Sequence, residues 1–176
     1  MRAFLDRLYL WSGYAAAGFL VLIVATVLVQ VVFNMVDALA LAVGAQPVGL
    51  VLPSYAEFTG YFLAAASFLA AAHTLQRGAL IRVNLVMQRL RPKSRRIAEI
   101  WCAAVGTLFS AYFTWWMILL VLESLEFNDV SPGMIPVPIW IPQLSIALGM
   151  AVFTLALADR TMAAWHGQIA DDAGEA

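Results

Sequence analysis

A few residues in this chain carry side chains conspicuous for their surroundings: Glu57, His73, Glu99, Cys102 and His166. Glu57 stands at the head of a long apolar stretch, where a carboxylate is by default a candidate for handling an ion or a proton. Its local sequence offers a plainer role. Ser54-Tyr55-Ala56-Glu57 has the form of a capping box, in which both side chains satisfy open N–H groups at a helix start and the carboxylate sits at the favourable end of the helix dipole. Capping or packing is therefore the first reading of Ser54 and Glu57, contact with a partner subunit the second, and ion handling the third. His73, near the other end of the same stretch, can reach interfacial water or donate to a neighbouring helix, which makes its role structural. Haem ligation needs paired histidines inside the membrane, and His166 falls beyond the last apolar stretch. Glu99 follows Arg95 by four and Arg96 by three, the spacing of an ion pair within one helix. Cys102 is the single cysteine, so neither a disulfide nor a thiolate metal site arises, and packing is its expected role. The sequence has no phosphate loop, no nucleophile with a base at motif spacing and no histidine and carboxylate cluster. No catalytic, substrate-binding or metal-ligating residue is assigned, no cofactor is expected, and the chain is not read as an enzyme.

The elements that must position these residues are long. Of 176 residues, 63% are hydrophobic and 12% charged, and the apolar ones fall in unbroken runs of helix length. This is a membrane composition. Leu8 to Val36 contains 29 residues without a charge, about 43 Å of helix at about 1.5 Å per residue, enough to cross about 30 Å of hydrocarbon with tilt or overhang. Residues 55–75, 97–122 and 139–158 supply three further spans. The start of the last is ambiguous because Pro138 and Pro142 both suit a first helical turn better than an interior. The N-terminal Met1 to Arg7 resembles the charged start of a signal peptide, but the apolar run after it is too long for one, and it reads as a retained first span. The expectation is an all-α integral membrane protein, a single membrane domain over residues 1–176 with four transmembrane helices and short interfacial helices.

Charge orients the spans. All ten basic residues lie on one side of the four-span arrangement: Arg2 and Arg7 before the first, seven between the second and third, and Arg160 after the fourth. That side is the cytoplasm by the positive-inside rule, which puts both termini inside. The two opposite loops carry Asp37, Glu126 and Asp129 and no Lys or Arg. Net charge is −1, which gives no argument for nucleic acid as a partner. Residues 38–53 are apolar and punctuated by Gly and Pro, as in a segment lying along the outer interface. Residues 81–90 place Val83, Val86, Met87 and Leu90 at helical spacing before Pro92 and read as a short interfacial helix. The cluster Arg89, Arg91, Lys93, Arg95 and Arg96 is a candidate for contact with acidic lipid head groups, although topology alone accounts for it.

Within the spans, Gly60, Ala64, Ser67 and Ala71 recur at intervals of four, three and four, a small-residue face that permits close helix approach and a candidate subunit-packing surface. Gly13 and Ala17 repeat the theme more weakly. Trp11, Trp101, Trp140 and Trp165 each fall near a span end and read as an interfacial belt. Tyr112, Trp115 and Trp116 share one face of the third span, turned to lipid or to a protein. The intramembrane hydroxyls and amides, Gln30, Ser67, Thr107, Ser110 and Thr114, can be satisfied inside a bundle. A broken helix or polar cavity of the kind that secondary transporters use is not evident.

Glu57-Phe58-Thr59-Gly60-Tyr61, leading to Ala72-His73-Thr74-Leu75-Gln76-Arg77-Gly78-Ala79-Leu80-Ile81-Arg82-Val83-Asn84-Leu85, resembles the small, DctQ-like membrane subunit of tripartite ATP-independent periplasmic (TRAP) transporters. Ser131-Pro132-Gly133-Met134-Ile135-Pro136-Val137-Pro138-Ile139-Trp140-Ile141-Pro142-Gln143, running on to Gly149, is similar to the family's proline and tryptophan approach to its last helix. The first and third spans match in hydropathy rather than motif. After the Arg-Gly pair the family often has His and then Val-Asp, where this chain has Leu80 and Val83-Asn84. The resemblance implies a scaffold partner of a large elevator-type membrane subunit, working with a periplasmic solute-binding protein in sodium-coupled uptake of an anionic solute such as a carboxylate, in the bacterial inner membrane. Membrane lipid is the other expected partner. The acidic tail, Asp171 to Ala176, ends without a linker and reads as that of a separate chain. A small multidrug-type exporter and a redox-complex membrane anchor are the alternatives from other classes. The first would need an acid facing a cavity, the second cofactor ligands.

Overall fold

The structure, a computed structural model, describes residues 2–78 and 92–165, and the interfacial helix expected at 81–90 lies outside the described residues. The described residues form four long helices: α1 Arg2–Ala42, α2 Tyr55–Gln76, α3 Pro92–Phe127 and α4 Trp140–Trp165. Each contains a segment long and apolar enough to cross a membrane, which makes the chain an all-α, multi-pass membrane protein.

The helices begin and end where backbone chemistry allows. At the end of α1, Gly44 takes a left-handed φ of 74°. Its N–H bonds to the Leu41 carbonyl at 3.1 Å and that of Ala45 to the Ala40 carbonyl at 2.8 Å, the two bonds of a Schellman cap. Asn128 serves α3 in the same way, with φ 51° and a bond of 3.1 Å from Asp129 N–H to the Ser124 carbonyl. Pro92 opens α3 and Pro142 sits in the first turn of α4, positions where the missing N–H costs nothing. Trp140 is thus the first residue of α4, and Pro138 stays outside it, paired with Val130 in an isolated antiparallel bridge. α1 and α3 outrun their apolar cores: 41 and 36 residues give about 61 and 54 Å, against about 33 Å for the 22 residues of α2.

The helices pack as an open row, α1 on α2, α2 on α4 and α4 on α3, with slight contact between α1 and α4. Three seams hold the row. Between α1 and α2 the Ser12 hydroxyl donates to the Leu69 carbonyl, and Phe19 meets Phe62 with ring centres 5.9 Å apart. Between α2 and α4, Gly149 lies against the Phe68–Leu69 backbone so closely that a Cβ there would stand 2.6 Å from the Phe68 carbonyl carbon. Between α4 and α3 the contact is hydroxylic: Ser110 with Thr154 at 2.7 Å, Thr114 with Thr154 at 3.1 Å, and Thr107 with Thr161 at 3.1 Å. A hydrogen bond across an apolar seam fixes register where lipid supplies no hydrophobic contrast.

One enclosed core forms near an end of the row, from Tyr9, Ala72, Leu75 and Ala156. The start of α1 and the ends of α2 and α4 therefore lie together, joined by Gln76 Nε2 to Asp6 at 3.0 Å and by Arg160 to the Leu75 carbonyl at 3.3 Å. The second of these places a guanidinium on the open carbonyls that end α2.

Candidate functional site

At the opposite end, the chain between α1 and α2 doubles back. Asp37 accepts from the N–H groups of Val48 and Gly49 at 2.8 and 3.1 Å. Lower down, Gln30 accepts from Leu52 N–H at 2.9 Å and donates to Asn34 at 3.0 Å. The returning segment thus runs along the last turns of α1 and starts α2 beside Gln30. Its residues 41–51 are exposed, and Leu52 and Pro53 half-buried.

The capping box is not formed. Ser54 adopts a left-handed φ of 58°, and its side chain caps no helix N–H. Its backbone carbonyl instead accepts from Glu57 and Phe58 N–H at 3.0 and 3.1 Å. The left-handed turn swings the hydroxyl away from α2 and toward the α3–α4 connection, where it accepts from Ile135 N–H at 3.2 Å. Glu57 turns the same way. Its carboxylate accepts from the Tyr61 hydroxyl at 2.7 Å, and the Ser131 and Ser54 hydroxyls lie within hydrogen-bonding reach of it. Ser131 is buried and also accepts from Val137 N–H at 3.3 Å. Gly133 closes the knot, its Cα directly over the carboxylate. Four hydroxyl and carboxylate side chains thus join the start of α2 to the turn before α4. Glu57 is engaged there, at one end of the row rather than half-way along a span.

The small-residue face lies elsewhere than in the seams. Gly60 and Ser67 are exposed, Ala64 and Ala71 half-buried, and a Cβ on Gly60 would meet nothing within 4 Å. The buried small residues of α2 are Ala65, Ala66 and Ala72, which α1 and α4 cover. One helical position, about 100° of rotation, separates the two sets. The stripe is therefore an open face beside the seams of its own chain.

The aromatic group on α3 is open too: Tyr112, Trp115 and Trp116 are all exposed, the first and last in edge contact at 6.2 Å. Beside it, Thr114, Trp115, Ile118, Ala151 and Leu155 line a shallow apolar groove of about 320 Å³ between α3 and α4. Cys102 is exposed on α3 rather than packed, since only one side of α3 is covered by α4. His73 packs as a structural residue, its ring over Gly13 of α1. Of the basic cluster, Arg89 and Arg91 lie outside the described residues, and Lys93, Arg95 and Arg96 are described only as turns of α3. The Glu99 pairing with Arg95 and Arg96 rests on side chains that are likewise not described.

Among the described residues, sequence reasoning missed Asp37, Gly133 and Gly149 as structural anchors. An acid just before a Gly-rich return and a glycine between prolines were the available signals for the first two. For Gly149 a single glycine in an apolar run gave none.

The family model for tripartite ATP-independent periplasmic transporters, DctQ component, matches residues 48–167. That span holds α2, α3 and α4 with the Ser54–Glu57–Ser131–Gly133 knot, and leaves α1 outside. No curated protein and no solved structure matches the chain. With about two thirds of its length matched, the chain belongs to the DctQ component family and is the small permease subunit of a tripartite ATP-independent periplasmic transporter.

Proposed function

We propose that this subunit is the fixed flank of a large, moving TRAP membrane subunit in sodium-coupled, binding-protein-dependent uptake of an anionic solute of the carboxylate class. The observation that carries the reading is the open row. A row in which α3 packs on α4 alone leaves broad apolar faces that suit apposition to a larger membrane protein. The Gly60, Ala64, Ser67, Ala71 face is the surface we assign to that contact, because it combines small side chains with open space.

Orientation follows from charge. Arg7, Arg77 and Arg160 lie at the end where α1 begins and α2 and α4 finish, and Asp37, Glu57 and Asp129 lie at the other. With the basic end in the cytoplasm of an inner membrane, both termini are inside and the acidic knot faces the periplasmic solute-binding protein. The basic cluster Arg89, Arg91, Lys93, Arg95 and Arg96 then meets anionic head groups at the inner surface.

Reconstitution in liposomes tests the reading. The chain alone, then with the large subunit, then with the periplasmic binding protein under an inward sodium gradient, should give solute uptake only in the complete system. Sodium-dependent uptake by the chain alone would overturn it.

A further inference from the structure

Tyr9 is the largest fully enclosed side chain among the described residues, 1% exposed at the point where α1, α2 and α4 meet. Its ring packs on Ala72, Leu75 and Ala156, with Leu5, Val152 and Phe153 around them. A phenylalanine would fill that space equally well. The hydroxyl, by contrast, has no hydrogen-bond partner among the described residues. Enclosed hydroxyls in folded proteins are paired with a protein group or with ordered water.

The acceptors at hand are carboxylates. Asp159 and Asp6 both lie within electrostatic range of the phenol, and neither within hydrogen-bonding distance. The helical register agrees: Asp159 stands three residues past Ala156 on α4, and Asp6 three before Tyr9 on α1, so each lies one turn along from the core. Asp6 is exposed and already accepts from Gln76. Asp159 is half-buried, and its neighbour Arg160 is turned to the Leu75 carbonyl. Asp159, half-buried and one turn from the core, is the carboxylate placed to answer the enclosed hydroxyl, and an interior water, held by two to four polar partners, can join the two.

We propose that the Tyr9 hydroxyl and the Asp159 carboxylate together hold one ordered water, forming a polar junction between α1 and α4. The phenol donates to the water oxygen, and the water donates to Asp159, which accepts only. Elsewhere α1 is joined to the row mainly through α2, so this junction pins the first helix directly to the fourth.

A double-mutant cycle on the full chain in lipid nanodiscs tests it, with Tyr9→Phe, Asp159→Ala, which removes the acceptor, and the pair compared by thermal midpoint. Each single change should lower the midpoint, and the pair should lower it no further than the larger single loss. Tyr9→Phe combined with Asp6→Asn should be additive. An experimental map of the full chain should place a water within hydrogen-bonding distance of both groups. Additive losses for Tyr9 and Asp159, a midpoint raised by Tyr9→Phe, or direct phenol–carboxylate contact in the map would each overturn the proposal. If Asp159→Ala does not fold, the sign of the Tyr9→Phe shift and the map decide.

Discussion

Gly133 stands so close over the Glu57 carboxylate that a single methyl group on its Cα would overlap a carboxylate oxygen and press on the Ser54 hydroxyl. Gly133→Ala should therefore lower the thermal midpoint, by separating the turn before α4 from the start of α2. Because the tightest collision is with the Glu57 side chain and the Ser54 hydroxyl is pressed less, Glu57→Ala should relieve part of it. In a thermal-shift series the double variant should lose less than the sum of the two singles, and an additive result would place the carboxylate elsewhere.

The other glycines divide by what surrounds them. A Cβ at Gly149 meets the Phe68–Leu69 backbone at 2.6 to 2.9 Å, while one at Gly13 meets the His73 ring at 2.8 Å and one at Gly60 meets nothing. Backbone cannot turn aside and a ring can. Gly149→Ala should cost about 1–3 kcal/mol by overpacking, and Gly13→Ala less. Gly60→Ala should be neutral or stabilise by up to about 1 kcal/mol, the helix-propensity difference. Chemical unfolding in detergent orders the three.

On the α3–α4 seam, Thr154 serves both Ser110 and Thr114. Thr154→Val keeps the shape and removes both contacts. Interhelical hydrogen bonds in membranes average about 0.6 kcal/mol and reach about 1.7, so a loss in that range is expected. Ser67→Ala should cost little, since Ser67 bonds only to the Leu63 carbonyl of its own helix.

Asp37 holds the returning segment by two backbone N–H groups. Asp37→Ala should leave the four helices in place and loosen residues 45–52. Hydrogen–deuterium exchange would show faster exchange at Val48 and Gly49 without a change in α2. Unchanged exchange would mean that Gln30 alone fixes the segment.

Orientation can be read by labelling. In a Cys102→Ser background, single cysteines at Val43 and Met134, 80% and 82% exposed, should react with an impermeant reagent in intact cells. A cysteine at Ser94, also exposed, should react only after the membrane is opened. Gly133 is unsuitable as a label site because any side chain there meets Glu57.

The four spans could be read from the sequence because lipid imposes a one-dimensional rule: a helix must stay apolar for the thickness of the hydrocarbon. Lateral order could not. Whether α3 lies beside α1 or beside α4 depends on hydroxyls such as Ser110 and Thr154, 44 residues apart, whose pairing leaves no local pattern. The same limit explains the capping box. Ser54 and Glu57 have the right spacing, but the α3–α4 turn, nearly 80 residues on, offers Ile135 N–H and Ser131 as competing partners. The small-residue stripe was visible and its neighbour was not: Ala65 and Ala72 differ from Ala64 and Ala71 only in which way the helix is rolled, and that is set by Gly149 on another helix.

The row of helices also sets how this chain tolerates mutation. A globular bundle concentrates its intolerance in a volume, whereas here the close contacts run along three lines. Saturation mutagenesis scored for expression should therefore paint narrow stripes along the spans, besides the Tyr9 core at one end and the Glu57–Gly133 contact at the other: one through Ser12, Gly13 and Phe62, one through Leu69 and Gly149, one through Ser110 and Thr154. Between the stripes, and away from the two ends of the row, any lipid-compatible residue should pass. The same scan repeated with transport as the score should add a fourth stripe where a partner helix lies, and its position would identify the face that is covered in the assembled transporter.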